Sequence, residues 1–118
     1  MYTTIVHWYP LPGKHDEAVA ALTELAGHVR EQEPDTWMYL VHSSARAGFP
    51  PAPEGTIVFI EGYKDFHAFL AHVNGTAFQN FVTQHGQLFQ QAAPPNTGIF
   101  FLTDPLKRFA GFIRPQAE

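Results

Sequence analysis

The 118-residue chain predicts a single α+β domain in which an antiparallel sheet carries helices on one face. Three observations predict it. Four segments alternate their large side chains with a period of two, and others repeat them at helical spacing. Their order along the chain is strand, helix, strand, strand, paired helices, strand, the order of an α+β domain. The third observation is the stretch Ile57 to His72, IVFIEGYKDFHAFLAH, where the two-residue period becomes a helical one at a single residue, Asp65.

Thr3 to Tyr9 reads as the first strand, with Ile5, His7 and Tyr9 on one face, Val6 and Trp8 on the other, and Pro10 and Pro12 ending it. From about Lys14 to Gln32, Ala18, Val19, Leu22, Leu25, Ala26 and Val29 form an apolar stripe opposite Lys14, Glu17, Glu24 and Glu31, which predicts a long surface helix. Glu33-Pro34-Asp35 stops it. Thr36 to Ser43 alternates Trp37, Tyr39 and Val41 with Met38, Leu40 and His42, a second strand. Ser44 to Gly55, with Gly48, Pro50, Pro51 and Pro53, reads as a loop long enough for a flap. Ile57 to Tyr63 is the third strand. Asp65 is set to cap a short helix on Phe66, Phe69, Leu70 and Val73, and Asn74-Gly75 to end it. Thr76 is set to cap a helix reaching about Gln91 on the stripe Phe78, Phe81, Val82, Leu88 and Phe89. After Pro94-Pro95-Asn96, Thr97 to Thr103 predicts the fourth strand, and residues 104–118 a tail carrying Leu106, Phe109, Phe112 and Ile113. The domain is thus expected over residues 1–103, in the split β-α-β order of ferredoxin-like sheets. Both parities of the strands are rich in large hydrophobes. A lone subunit would leave one apolar sheet face in water, and such a face marks an interface.

At this length one modest core is the limit, burying under about 70% of the unfolded surface. With no cysteine, disulfides, thiolate catalysis and thiolate zinc sites are excluded. A net charge of -4 with only seven Lys and Arg argues against a nucleic-acid partner. The first twelve residues lack the basic start and apolar run of a signal peptide, and no later run approaches the ~20 apolar residues of a membrane span. The expectation is a cytoplasmic protein with neither nucleic acid nor membrane as partner.

The pattern E-x-Y-x-D-x-x-A-F-x-x-H, formed by Glu61, Tyr63, Asp65, Ala68, Phe69 and His72, resembles the antibiotic biosynthesis monooxygenase (ABM) domain. Pro12-Gly13-Lys14 ahead of the long helix and Glu33-Pro34 at its end resemble the same family, over roughly Thr3 to Thr103. The resemblance implies a dimeric α+β barrel in which two sheets pair, with a pocket in each half. It also implies a cofactor-independent monooxygenase acting on phenolic, quinol or anthrone-like substrates with molecular oxygen. A branch of the superfamily degrades haem through an axial histidine ten residues after the pocket aromatic, but ten residues after His72 stands Val82, which cannot ligate iron.

Oxygenation without a cofactor needs a base and an apolar enclosure, because triplet oxygen accepts one electron readily only from an anion such as a phenolate. Histidine, with a reference pKa near 6.5, suits the base role. His72 occupies the family position for it. Periodicity alone turns His72 about 120° from the stripe of its own helix and toward solvent. The resemblance turns Tyr63 and Glu61 toward the barrel, Tyr63 as a bond to the substrate oxygen and Glu61 as a carboxylate orienting a histidine; cross-strand packing and an ion pair are the alternatives. His7, Tyr9, Trp37, Tyr39 and Phe59 are candidates to line the same cavity, or simple core residues. His85 reads as a core histidine. No metal is expected: His67 and His72 lie five apart, about 140° around a helix, and only His7, His42 and Glu61 remain as a conceivable cluster. Ser43 and Ser44 are the only serines, and neither sits in a G-x-S-x-G elbow. The rival class is a barrel that binds a small molecule, or serves under stress, without catalysis. Closed packing around His72 would favour it.

Overall fold

The computed structural model describes residues 1–44 and 55–115. It contains β1 (Tyr2–Trp8), α1 (His15–Gln32), β2 (Thr36–Ser43), β3 (Ile57–Tyr63), α2 (Phe66–Val73), α3 (Thr76–His85) and β4 (Phe101–Leu106). The loop expected over Ser44 to Gly55 falls almost entirely outside the described residues.

All strand pairs are antiparallel and the sheet order is β2-β3-β1-β4, the split ferredoxin-like arrangement that the element order implied. Thr4, Val6 and Trp8 of β1 stand opposite Glu61, Phe59 and Ile57 of β3, and all six are buried under the helices. α1 closes over them through Ala18, Ala21, Leu22, Leu25 and Val29, the predicted stripe rotated enough to leave Val19 exposed. Trp8 is the hub of this core, its ring 5.0 Å from Phe59 and from Phe89 and 5.6 Å from Phe81.

The local signals around α2 act as written. Asp65 adopts extended backbone and its carboxylate accepts from the Ala68 amide at 2.9 Å. α2 then meets α3 almost at once. A Cβ on Gly75 would lie 2.8 Å from the Ala71 carbonyl, so only glycine fits that corner without a shift.

Three expectations change. Thr76 is the first helical residue of α3 and Gly75 its cap position, so Thr76 makes no cap bond. The helix ends at His85 instead of Gln91, because the chain leaves it to bond elsewhere: Leu11 N donates to Leu88 O at 2.8 Å and Gln90 N to Tyr9 O at 2.7 Å. The fourth strand runs over Phe101–Leu106, later than Thr97 to Thr103, and so enters the segment read as tail. The strand runs through Pro105 because β4 is an edge strand, where a residue lacking an N–H is tolerated. Before it, Ala92 N donates to Gly98 O and Phe100 N to Gln90 O, both at 2.8 Å, a local turn that uses residues 97–100.

The second sheet face carries Ile5, His7, Val58 and Ile60, flanked by Leu40, Leu102 and Leu106, and no helix among the described residues covers it. Beyond β4 the described residues stand in solvent: Phe109 is 99% exposed, Phe112 79% and Ile113 68%. The Arg114 guanidinium lies over the Phe112 ring at 5.1 Å. Among the described residues no helix is long and apolar enough to cross a membrane.

Candidate functional site

β3 alternates, so Phe59, Glu61 and Tyr63 all point toward the helices, with Thr4 of β1 and Tyr39 of β2 opposite Glu61. The Glu61 carboxylate is buried and both its bonds come to one oxygen: Tyr63 OH donates to Oε1 at 2.8 Å and Thr4 Oγ1 at 3.0 Å. Burial raises the Glu61 pKa, opposed by the Tyr63 hydrogen bond, by His72 and by Thr4. Burial also pushes the phenols of Tyr63 and Tyr39 well above the ordinary tyrosine value, and the Glu61 charge adds to this. Both tyrosines are therefore held as neutral phenols at working pH.

His72 comes down onto this group from α2. It is buried, with its ring 5.3 Å from Tyr39, 5.6 Å from Tyr63 and 5.6 Å from Phe78. The outward reading from periodicity is wrong for a visible reason. Ala68 and His72, four apart, face the core, while Phe66 is 50% exposed and Leu70 38%. Small Ala68 allows the helix to approach the sheet on that side. Phe66 and Phe69 instead pack laterally on Tyr2, at ring separations of 5.5 and 5.2 Å.

The carboxylate that holds His72 is Glu33, at 2.7 Å from Nδ1, not Glu61. Thr36 Oγ1 donates to the same Glu33 Oε1 at 3.0 Å, while Oε2 is buried without a hydrogen bond. A carboxylate only accepts, so Nδ1 carries the proton and Nε2 is left as the basic nitrogen. No hydrogen bond to Nε2 forms among the described residues. Glu33 and His72 share the wall of a cleft of about 300 Å³ between the end of α1, the start of β2 and the α2–α3 corner. The cleft is lined also by Pro34, Asp35, Ala71 and Gly75, and by no Lys or Arg among the described residues.

Tyr63, Glu61, Phe59, Tyr39 and His72 thus gather in one place. Tyr63 differs from expectation in one respect, since its hydroxyl is engaged by Glu61 and the residue is fully buried. Three other candidates do not join them. His7 lies on the open sheet face opposite Val58 and Leu102; Tyr9 stacks on Phe100 at 5.9 Å past the end of β1; Trp37 sits at a register shift in β2 and is 58% exposed. The conceivable metal cluster is split for the same reason. His7 and His42 both pair with Val58 on the open face, whereas Glu61 faces the helices. Among the described residues no three metal-ligating side chains converge. His85 is half-buried against Phe81 at 5.5 Å.

Glu33, Thr4 and Thr36 were not singled out for chemistry from sequence. Glu33 carried a signal: an acid at a helix C-terminus opposes the helix dipole, so its presence there asks for another partner.

Glu61 has a measurable consequence. Its folded pKa is raised, so the folded state binds that proton more tightly than the unfolded chain. The resulting stability is present at low pH and is lost as pH rises above the ordinary value of 4.5. Thermal melts from pH 4.5 to neutrality should show this decline in the wild type and its flattening in Glu61→Gln. Equal slopes in the two proteins would refute the assignment.

The antibiotic biosynthesis monooxygenase profile matches residues 1–84. A crystal structure of an antibiotic biosynthesis monooxygenase superposes with a TM-score of 0.73 at 20% identity, covering 93% of this chain and all of the other. A Caulobacter crescentus protein provisionally assigned the same activity gives 0.73 at 17% identity, covering 92% and 90%. The Mycobacterium tuberculosis protein Rv0793 gives 0.67 at 20% identity, covering 92% and 98%. At these identities the structures show a shared fold. No curated protein shows a significant match in sequence.

Proposed function

Because the chain belongs to the antibiotic biosynthesis monooxygenase family, we propose that it is a cofactor-independent monooxygenase of a small phenolic, quinol or anthrone-like molecule, with His72 as its base. The observation that carries this reading is the Glu33–His72 pair at 2.7 Å in the wall of a cleft. A carboxylate bonded to Nδ1 fixes the tautomer and steadies the imidazolium that forms when Nε2 takes a proton, the arrangement a general base requires.

The steps balance without a further reagent. His72 Nε2 removes the substrate hydroxyl proton, and the anion gives one electron to oxygen. The two radicals join at a ring carbon bearing hydrogen, and the peroxide anion recovers a proton from His72. Loss of water then leaves a carbonyl: one oxygen atom enters the product, the other leaves as water, and the substrate supplies all four electrons. Neutral Tyr39 and Tyr63, with Phe59 behind them, wall the histidine off from bulk water. Tyr63 acts through Glu61 and the His72 ring, and so is a positioning residue.

Oxygen uptake with a panel of hydroquinones and anthrones tests the reading, in the presence of a chelator. Turnover that survives the chelator is the expected result. Abolition by the chelator would end the cofactor-free mechanism. A second reading has one observation in its favour: three rings enclose His72 within 5.6 Å, the closed packing of a binding protein. Saturable binding of these compounds with no oxygen uptake would select it.

The proposal includes a homodimer. The uncovered sheet face, with Leu40 47% exposed and Leu102 51%, joins a tail whose phenylalanines stand in water, more apolar surface than soluble monomers carry. A two-fold pairing of the sheets, with each tail on the partner, covers both. Light scattering at micromolar concentration should give twice the chain mass, and Leu40→Lys with Leu102→Lys should give the monomer. Truncation after Leu106 should weaken the dimer; an unchanged dissociation constant would remove the tail from the interface.

A further inference from the structure

A second set of reactive groups lies at the N-terminal end of α1, away from Glu33 and His72 at its other end. Ser43 ends edge strand β2, and its Oγ is 3.3 Å from Nε2 of His15, the first residue of α1. The Nδ1 of the same ring is 3.3 Å from the Gly55 carbonyl oxygen. A carbonyl only accepts, so in the neutral ring Nδ1 carries the hydrogen, and Nε2 is left as the acceptor for the Ser43 hydroxyl. Nucleophile, base and base-orienting acceptor thus stand in sequence, at the looser distances usual without substrate. Sequence could not show it, since 28 positions separate the pair.

Two features of the surroundings suit acyl transfer. Ser43 borders a groove of about 240 Å³ between α1 and β2, walled by Val19, Leu22, Ala26, Val41 and Ile57. The first turn of α1, where His15 sits, takes no cap bond from the Lys14 side chain, and the positive end of the helix dipole there suits a developing oxyanion. Asp16 and Glu17 in that turn add negative charge, which disfavours a substrate with a negative charge of its own and offsets part of the dipole's pull on the oxyanion.

We propose that Ser43, with His15 as base, is a nucleophile toward neutral carboxylic esters whose short acyl chain lies in this groove. Oγ attacks the ester carbonyl carbon while His15 Nε2 takes its proton. The tetrahedral adduct expels the alcohol, which receives that proton, and leaves Ser43 acylated. Water, deprotonated by the same nitrogen, then attacks the acyl carbon, releasing the acid and restoring the serine.

The test treats the full-length protein with p-nitrophenyl acetate and p-nitrophenyl butyrate, following p-nitrophenolate release and mapping the acyl group by peptide mass spectrometry. The expected result, in samples quenched with acid before deacylation, is up to one acyl group per chain on Ser43, faster from the butyrate, and none in Ser43→Ala. His15→Ala should slow acylation about 100-fold to 10,000-fold. Should circular dichroism show that His15→Ala has lost its fold, Ser43→Ala, altered only at an exposed side chain, decides. Acyl groups found on Lys14, His15 or the N-terminus instead of Ser43, or equal release by Ser43→Ala and wild type, would overturn the proposal.

Discussion

Replacing His72 by glutamine lowers the rate of oxygen consumption by about 100-fold to 10,000-fold, the usual worth of a positioned general base. Glutamine is the informative substitution. Its amide still donates to Glu33 Oε1, whereas alanine would leave a largely buried carboxylate without that donor, a loss of about 1–3 kcal/mol. The comparison separates chemistry from folding. Glu33→Gln should fall between wild type and His72→Gln, because the imidazole remains but its tautomer and its imidazolium lose support. Full activity of His72→Gln on a substrate that the wild type turns over, measured with an oxygen electrode, would mean that the base lies elsewhere.

Trp8→Ala destabilises the fold by about 3–5 kcal/mol, the range for removing a large ring from a packed core. That is a large share of the about 5–15 kcal/mol available to a domain of this size. Trp8 touches five phenylalanine rings, and one of them, Phe78, also touches His72. Its loss therefore loosens the seat of the base as well as the core. Trp8→Phe should cost far less than alanine, under about 2 kcal/mol, because it also removes the Nε1–H, which is buried without a hydrogen bond. Urea titration of both variants measures the difference. Equal destabilisation by Phe and Ala would show that the indole ring's second half, and not its bulk against the phenylalanines, carries the packing.

What the sequence determined by itself is whatever a few neighbouring residues decide. The bounds of β2 and β3, the Asp65 cap, the stop at Glu33-Pro34 and the order of elements along the chain all follow from side-chain period and backbone preference within short windows. The ABM pattern was legible for the same reason, since its spacing lies within twelve residues.

The tertiary structure decided the rest, because it depends on partners distant in the chain. Periodicity turned His72 outward, and only the lateral packing of Phe66 and Phe69 on Tyr2, 64 and 67 positions earlier, leaves Ala68 and His72 as the inward pair. Glu33 meets His72 across 39 residues and Thr4 meets Glu61 across 57, so the carboxylate that holds the base had to be identified by contact rather than by spacing. The separation of His7 from Glu61 follows from strand register, where one residue of offset moves a side chain to the other face of the sheet. β4 extends through Pro105 because it lies at the sheet edge, a fact of topology that no local preference of Asp104-Pro105 contains.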